Sequence, residues 1–462
     1  MFHRIKQITL VLGDLLVLNL SLCVALWLRY FSWPADQWAE LFYPMAGLFT
    51  AAIIIFFVVG LYDIGQAKNN LRFFQKIYIG LSIWLVFGLI FFYLNHKITA
   101  QPKTIIALCA LVGAVLISVW RALHNKFLSK SILKTNIVFV GLSPEVFELI
   151  AKIEREPALG YEIVGLIRTP HDTCQEQLPG LSGYITTDNL NELATKQNKA
   201  AQIYIIAPQA AQDENFSKEL YARLFEQSGT IFLARFYEDI MTRIPPFIFS
   251  DTWFLANLDE QRKKIYDRAR IFVDFIFAGF MAVTFAISFP FVALAIKLSS
   301  PGPVFFIQER VGRNGKTFKI IKYRTMKVLS ADGSAETGGA QYASVNDARI
   351  TSVGNFLRKS RIDELPQFIN IFHNEMALVG PRPERPEFVA ELSTKMPYYS
   401  LRHLIKPGLT GWAQIQKSYY GTIEENLRKL EFDLYYLKNR GVILDTAIIL
   451  RTFNILGRLG GR

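Results

Sequence analysis

Four apolar runs crowd the first 120 residues of this chain: residues 8–28, 41–61, 77–94 and 104–120. Each is long enough, or nearly so, to cross a hydrocarbon core of roughly 30 Å. Inside such a core every backbone amide must find its partner within the chain, so the expected form is a set of four spanning helices. The first run carries Asp14 and the second Pro44, so neither is purely apolar. The first run is also too long for the apolar core of a cleavable leader and has no small-residue cleavage site, so its removal is not expected. Cations set the orientation. Arg4 and Lys6 precede the first run, Lys68, Arg72 and Lys76 lie between the second and third, and Arg121, Lys126, Lys130 and Lys134 follow the fourth. The other two connections hold only Arg29, Lys97 and Lys103. Both ends of the four-span region are therefore expected in the cytoplasm.

The remaining 300-odd residues change character. After a basic linker at 121–134, the segment 136–141 (NIVFVG) reads as a buried strand and 144–154 as a helix. Further strands are expected at 161–167, 201–206 and 230–236, with helices at 190–197 and 217–227 between them. This alternation predicts a Rossmann-like parallel α/β module over 135–258. A pyrophosphate-cradling turn wants several glycines. Here the turn after the first strand is Gly141-Leu-Ser-Pro-Glu, with one glycine and a proline that removes an amide donor. A regulatory or assembly role is expected for the module rather than catalysis.

A fifth apolar run, 271–296, has cations on both flanks: Lys263, Lys264, Arg268 and Arg270 before it, Lys297, Arg310 and Arg313 after it. Pro290 lies inside it, and an internal proline removes an amide donor and kinks a helix. A helix that enters the membrane, breaks and returns to the same face fits both facts. A kinked fifth span is the alternative, and it would carry the rest of the chain across the bilayer. The catalytic region is expected to run over 259–462 as a mixed α+β fold. It has strands at 304–308 and 317–323 around a Gly312-Arg-Asn-Gly turn, a small-residue loop at 330–343, and helices at 369–376, 384–392, 424–439 and 444–459. The last of these is amphipathic and suited to a lipid surface.

Chemistry concentrates in this region. Asp363-Glu364 is set among strong cations at Arg358, Arg361, Arg382 and Arg385. Carboxylates beside several arginines suit a site that grips phosphate and attacks it, although Asp363 could equally cap a helix over 365–372. In Gly380-Pro-Arg-Pro the prolines restrict the backbone around Arg382, whose fork can hold two phosphate oxygens. Lys322 and Arg324 share one strand face by the two-residue period and are further phosphate-binding candidates, or else a solvated face. Trp412, in Lys406-Pro-Gly-Leu-Thr-Gly-Trp, is either a base-stacking aromatic or a core residue. His373 and His403 lack partners at metal-ligand spacing, and Cys23, Cys109 and Cys174 form neither a disulfide framework nor a CxxC pattern. The net charge of +12 is assigned to an anionic membrane face and phosphate substrates. No nucleic-acid motif is present, and the aromatics cluster in the apolar runs.

From about Lys263 to the end, the chain resembles the bacterial sugar transferases, the monotopic phosphoglycosyl transferases. The motifs, in order, are the proline-broken apolar run, Glu309-Arg-Val-Gly, Phe318-Lys-Ile-Ile-Lys-Tyr-Arg-Thr-Met, Asp363-Glu-Leu-Pro-Gln, Leu378-Val-Gly-Pro-Arg-Pro and Pro407-Gly-Leu-Thr-Gly-Trp-Ala-Gln. The whole layout looks like that of the long polyprenyl-phosphate hexose-1-phosphate transferases, and Pro-Glu-Arg-Pro-Glu-Phe with Tyr419-Tyr-Gly resembles their exopolysaccharide-associated branch. The resemblance implies transfer of a sugar-1-phosphate from a UDP-sugar to undecaprenyl phosphate, with release of UMP and use of Mg²⁺. It implies that Asp363 is the nucleophile of a covalent intermediate and that Glu364 is its partner in proton handling or metal positioning, with both as metal ligands. Arg358 and Arg382 match phosphate-gripping arginines of the family. The family often has Ser-Pro at the helix break. Here Phe289 intervenes, and Ser288 is expected to satisfy a freed carbonyl from one position earlier. The implied setting is the cytoplasmic face of a bacterial inner membrane among membrane lipids, and both the spans and the α/β module offer surfaces for a homodimer. A non-catalytic scaffold or nucleotide sensor of a polysaccharide assembly complex is the alternative.

Overall fold

The computed structural model describes residues 2–62, 71–95, 102–128, 134–170, 172, 184–188, 192–193, 201–210, 229–246, 251–258, 263–329, 347–416 and 422–457. It divides into two compact units, Met1–Phe236 and Tyr237–Arg462.

The first unit begins with α1 (Phe2–Tyr30), α2 (Ala35–Val59), α3 (Leu71–Leu94) and α4 (Pro102–Leu128), all long and apolar enough to cross a membrane. They pack around Leu18, Leu22, Phe49, Phe56, Trp84 and Ile117, with exposed leucines, isoleucines and aromatics on the outside. Small residues let the helices approach: a Cβ on Gly13 would lie 2.1 Å from Trp120, and one on Gly88 2.0 Å from Ile106. Asp14, the acid in the first apolar run, is wholly buried. It accepts hydrogen bonds from the Arg121 guanidinium (Nε 3.1 Å) and from the Tyr62 hydroxyl (2.8 Å). Arg121 also donates to the Leu61 carbonyl at 2.8 Å. A charge in an apolar bundle persists only when paired in this way.

After the helices comes a five-stranded parallel sheet in the order β3-β2-β1-β4-β5. Its strands are β1 (Thr135–Val140), β2 (Tyr161–Ile167), β3 (Thr186–Thr187), β4 (Ile203–Ile206) and β5 (Gly229–Phe232). Helix α5 (Pro144–Arg155) follows β1. This is the Rossmann-like order, with β1 in the middle. Gly141 turns the chain after β1 with φ 83°, and a side chain there would meet Ala207. The next amide, Leu142, donates to the Asp172 carboxylate at 2.9 Å, which also accepts from the Thr169 amide and hydroxyl. The expected strand through 236 stops at Phe232, where α6 (Leu233–Met241) begins. Leu233, Phe236, Tyr237 and Ile240 are all buried, which is a helical and not a two-residue spacing. The helices expected at 190–197 and 217–227 lie outside the described residues, apart from two helical residues at 192–193.

In the second unit, α7 (Asp251–Asn257) is followed by α8 (Lys264–Ser299), a 36-residue helix that contains Pro290. Ala278, Phe285, Phe289, Val292 and Ile296, on both sides of the proline, pack against other elements of the same unit. Most of the other α8 residues are open. Pro290 leaves the Ala286 carbonyl without its helical donor, while the Ser288 hydroxyl donates to Thr284 (2.7 Å) and Phe285 (3.3 Å). The antiparallel hairpin β6 (Phe305–Val311) and β7 (Thr317–Tyr323) lies beside α8. Asn314 takes a left-handed φ of 56° in its turn. Then come α9 (Ser352–Ser360), a 3₁₀ turn (Ile362–Gln367), α10 (Phe368–Phe372) and the short parallel pair β8 (Ala377–Val379) and β9 (Gly408–Thr410). Helices α11 (Pro386–Lys395), α12 (Trp412–Gln416), α13 (Ile423–Asn439) and α14 (Val442–Gly457) complete the unit. The small-residue loop expected at 330–343 lies outside the described residues, as does Tyr419.

Candidate active site

Three segments of the second unit converge. Strand β7 delivers Lys322 at its end. Helix α9 stops at Arg361, which takes a left-handed φ of 59°, and the 3₁₀ turn that follows carries Asp363 and Glu364. The loop after β8 brings Arg382. Asn370 fixes the first two segments against each other. Its side chain accepts from the Ile321 amide (3.2 Å) and donates to the Lys319 carbonyl (2.8 Å), as a neighbouring strand would along the edge of β7.

The two acids, adjacent in sequence, have different surroundings. Glu364 Oε1 receives Lys322 Nζ at 3.2 Å, Arg361 Nη1 at 3.4 Å and both terminal nitrogens of Arg382 at 3.3 Å. Burial alone would raise the Glu364 carboxyl, but Lys322, Arg382 and Arg361 outweigh it and hold it far below the usual carboxylate range. Asp363 is also buried, and its Oδ1 has no hydrogen-bond partner among the described residues. Burial, and next the charge of Glu364, push the Asp363 carboxyl up to about 6 against the pull of Lys322, Arg361 and Arg358. The helix-capping alternative for Asp363 is not realised at that oxygen. Burial lowers the Lys322 ammonium to about 8 despite the attraction of Glu364.

The other candidates fall into distinct places. Arg358 Nε donates to the Thr325 hydroxyl at 2.9 Å, and its charge is felt by Asp363. Arg324 turns to the end of α8, where its guanidinium donates to the carbonyls of Ser300 (2.8 Å) and Pro301. Gly302, with φ 123°, makes room for it, since a Cβ there would meet the guanidinium. The structure thus brings Lys322, Asp363, Glu364 and Arg382 together, and sets Arg324 at the mouth of the long helix. Trp412 is buried, stacks on Tyr435 and donates its indole N–H to the Thr242 carbonyl at 3.0 Å, so it is a core residue and not an open platform for a base. Sequence reading missed the charges behind the site: Arg310, Glu384, Arg402, Lys429 and Asp433. Each is an ordinary charged residue in the sequence, and only the burial of Glu384, Arg402, Lys429 and Asp433, with Arg310 half-buried beside them, marks the group.

Among the described residues no group of three or more His, Cys, Asp or Glu side chains could hold a metal ion by itself. The free Oδ1 of Asp363 beside Glu364 does fit a small divalent cation of the Mg²⁺ kind, which takes one or two carboxylates and completes its shell with substrate phosphates and water.

Residues 265–458 match the family model described as bacterial sugar transferase. An Aeromonas hydrophila protein named UDP-N-acetylgalactosamine-undecaprenyl-phosphate N-acetylgalactosaminephosphotransferase is 44% identical over 171 residues, which is 37% of this chain and 39% of that protein. Two proteins named UDP-glucose:undecaprenyl-phosphate glucose-1-phosphate transferase are each 32% identical. The one from Xanthomonas campestris pv. campestris aligns over 73% of this chain and 70% of its own length, and the one from Escherichia coli (strain K12) over 66% and 64%. The alignment thus spans well under half of the first relative and about two thirds of the other two. The matched segment 265–458 contains the acid pair, its cations and nearly all of α8, and with the Xanthomonas relative 32% identical over 73% of the chain, this chain belongs to the bacterial sugar transferase family.

Proposed function

We propose that this protein transfers a sugar-1-phosphate from a UDP-sugar to undecaprenyl phosphate with release of UMP, as the initiating step of exopolysaccharide, capsule or O-antigen assembly. The observation that carries the reading is the division of the acid pair. One carboxylate is saturated by three cations, and the other is buried with a free oxygen beside them. A poorly solvated carboxylate flanked by phosphate-binding cations is a nucleophile for phosphorus. One oxygen of the Asp363 carboxylate attacks the sugar-linked phosphorus while the other stays open to a metal ion, and the bond from that phosphorus to the bridging oxygen breaks, so UMP leaves with the electron pair. A phosphate oxygen of the polyprenyl acceptor then attacks the same phosphorus and breaks its bond to Asp363, which restores the carboxylate. Glu364 holds Lys322 and Arg382 in place until the donor phosphates claim them, and Arg358 adds positive charge beside Asp363. Bound Mg²⁺, held through Asp363 and Glu364, would neutralise the donor diphosphate.

The site is read as lying on the cytoplasmic face of a bacterial inner membrane, in a chain with four N-terminal spans, with α8 dipping into one leaflet and returning. Three facts support the dip: Pro290 within the helix, cations beyond both ends, and packing of residues on both sides of the proline against the same soluble unit. An acid pair at the lipid–water boundary can meet both a soluble donor and an acceptor anchored in lipid. The test is UMP release by purified protein with undecaprenyl phosphate, Mg²⁺ and a panel of UDP-sugars. One sugar is expected to support release in the wild type and none in Asp363→Asn. Normal transfer by Asp363→Asn would overturn the nucleophile, and no release from any UDP-sugar would overturn the enzyme reading in favour of a scaffold.

A further inference from the structure

The loop that presents Arg382 is held carbonyl by carbonyl. The Pro381 oxygen accepts from the Gly408 amide at 2.9 Å, and the Glu384 oxygen from the Val311 amide at 2.9 Å. Between them, the Arg382 oxygen accepts from Arg402 Nη2 at 2.9 Å and the Pro383 oxygen from Arg310 Nη1 at 3.1 Å. The loop is entered through a close backbone crossing. The Gly380 amide donates to the Thr410 carbonyl at 2.8 Å, and a Cβ on Gly408 would lie 2.0 Å from the Gly380 nitrogen.

Arg402 is the deepest part of this clamp. It is 2% exposed, its Nε and Nη2 meet Asp433 Oδ2 at 3.0 and 2.8 Å, and its Nη1 donates to the Tyr399 hydroxyl at 3.1 Å. A buried ion pair is a poor source of stability, because apolar residues of the same volume often serve as well or better. What an apolar side chain cannot do is donate to the Arg382 carbonyl. That oxygen belongs to the peptide unit adjoining the Arg382 Cα, so fixing it fixes the direction in which the guanidinium leaves the backbone.

We propose that Arg402, seated by Asp433 and Tyr399, is a positioning residue for sugar-phosphate transfer. It locks the backbone at Arg382 and so aims that guanidinium at the donor phosphate. The inference rests on the proposed function, in which Arg382 grips that phosphate. A residue that acts only through Arg382 must lose its effect on activity once Arg382 is gone, whereas its effect on stability must remain.

The experiment is a double-mutant cycle on the full-length protein with Arg402→Met, Arg382→Ala and the double variant. It is read as kcat/KM for the UDP-sugar, as affinity for UDP without turnover, and as thermal midpoint. Arg402→Met is expected to lose about 10- to 100-fold in kcat/KM, the scale of a misplacement near 1 Å. The double variant is expected within about twofold of Arg382→Ala, while the midpoint drop caused by Arg402→Met is the same in both backgrounds. Arg402→Lys, which keeps a charged donor, recovers part of the loss. Should Arg402→Met fail to fold, Tyr399→Phe loosens the same seat and its smaller loss must likewise vanish with Arg382→Ala. Multiplicative losses in the double variant, or wild-type kcat/KM in Arg402→Met, overturn the proposal, as does wild-type activity in Arg382→Ala beside a dead Asp363→Asn. Absence of UMP release from the wild type strikes the proposed function instead, and the UDP affinities then decide the positioning role by the same criterion of additivity.

Discussion

Replacing Lys322 by methionine separates the electrostatic account of the acid pair from a merely steric one. The Lys322 ammonium lies 3.2 Å from Glu364; at an effective dielectric constant near 20, that pair is worth about 5 kcal/mol before desolvation. The same cation favours ionised Asp363, whose carboxyl burial has already pushed up to about 6. Losing a nearby opposite charge raises a carboxyl by about 1–3 units, so the acid limb of the rate profile should move upward. With a one-unit rise, the ionised fraction of Asp363 at pH 6.5 falls about threefold, but at pH 8 it falls by only about a tenth. An alkaline limb belongs to Lys322 itself. Burial lowers its ammonium to about 8, so the wild-type protein is expected to lose that charge as pH rises through this value. Under the proposed function the wild-type profile of kcat/KM should therefore be a bell with limbs near 6 and 8, reporting groups of the free protein. Lys322→Met should lack the alkaline limb and show the acid limb shifted up, on top of a uniform loss. Lys322→Arg keeps a charge that does not titrate, so it should lack the alkaline limb and leave the acid limb where it was. The assay is UMP release from pH 5.5 to 9 at constant Mg²⁺. An acid limb that stays or moves down in Lys322→Met, or an alkaline limb that survives in Lys322→Arg, would refute the reasoning.

Two further outcomes concern stability. Asp14→Asn strands the fully buried Arg121 guanidinium and should cost about 3–5 kcal/mol, most of it recovered in Asp14→Leu/Arg121→Leu; thermal midpoints in detergent at one heating rate check this, and a double variant no better than the single one would contradict it. Asn370→Ala removes the side chain that satisfies the edge of β7, leaving the Ile321 amide and Lys319 carbonyl without it. It should cost about 2–4 kcal/mol, or roughly 4–16 °C in the midpoint of a unit this size, and a shift under about 2 °C would show that the edge finds other partners.

Local pattern explains most of what could be read in advance. The alternation at 317–323 became β7 as expected, because its two faces meet different surroundings: Phe318 and Ile320 are buried while Thr317 and Lys319 are open. Thr422 and Glu425 form a reciprocal cap at the start of α13, a signal written three residues apart. The end of β5 was misjudged, since Thr230 to Phe236 is apolar enough for a strand, and only the burial of Leu233, Phe236, Tyr237 and Ile240 shows a helix. Pairings were out of reach for a different reason. Asp14 meets Arg121 across 107 positions, Glu384 meets Lys429 across 45, and Arg402 meets Asp433 across 31. Opposite charges are plentiful in the chain, and nothing local says which of them share a desolvated volume. For the same reason Lys322 and Arg324, two residues apart on one strand, looked interchangeable, yet one faces the acid pair and the other holds the end of α8.

The division of labour between Asp363 and Glu364 follows from the kind of turn that carries them. In a 3₁₀ turn, with about three residues per revolution, adjacent side chains leave about 120° apart. The left-handed residue Arg361 ends α9 and starts this turn, and Pro366 sits within it. Glu364 can therefore reach Lys322 and Arg382 while Asp363 faces elsewhere in the same buried volume. Two carboxylates pointed at the same cations would have competed for them, and both would have been neutralised. By sending one acid to all three cations and leaving the other with a free oxygen, the turn keeps a negative charge poorly solvated beside positive charge. Under the proposed function, an incoming diphosphate would have a reason to displace Glu364 from Arg382: it offers more charge and more oxygens to the same fork. Donor binding and release of the resting salt bridges are in this view one exchange, and the loop that aims Arg382 has to be rigid because its guanidinium must serve two anions in turn from one place.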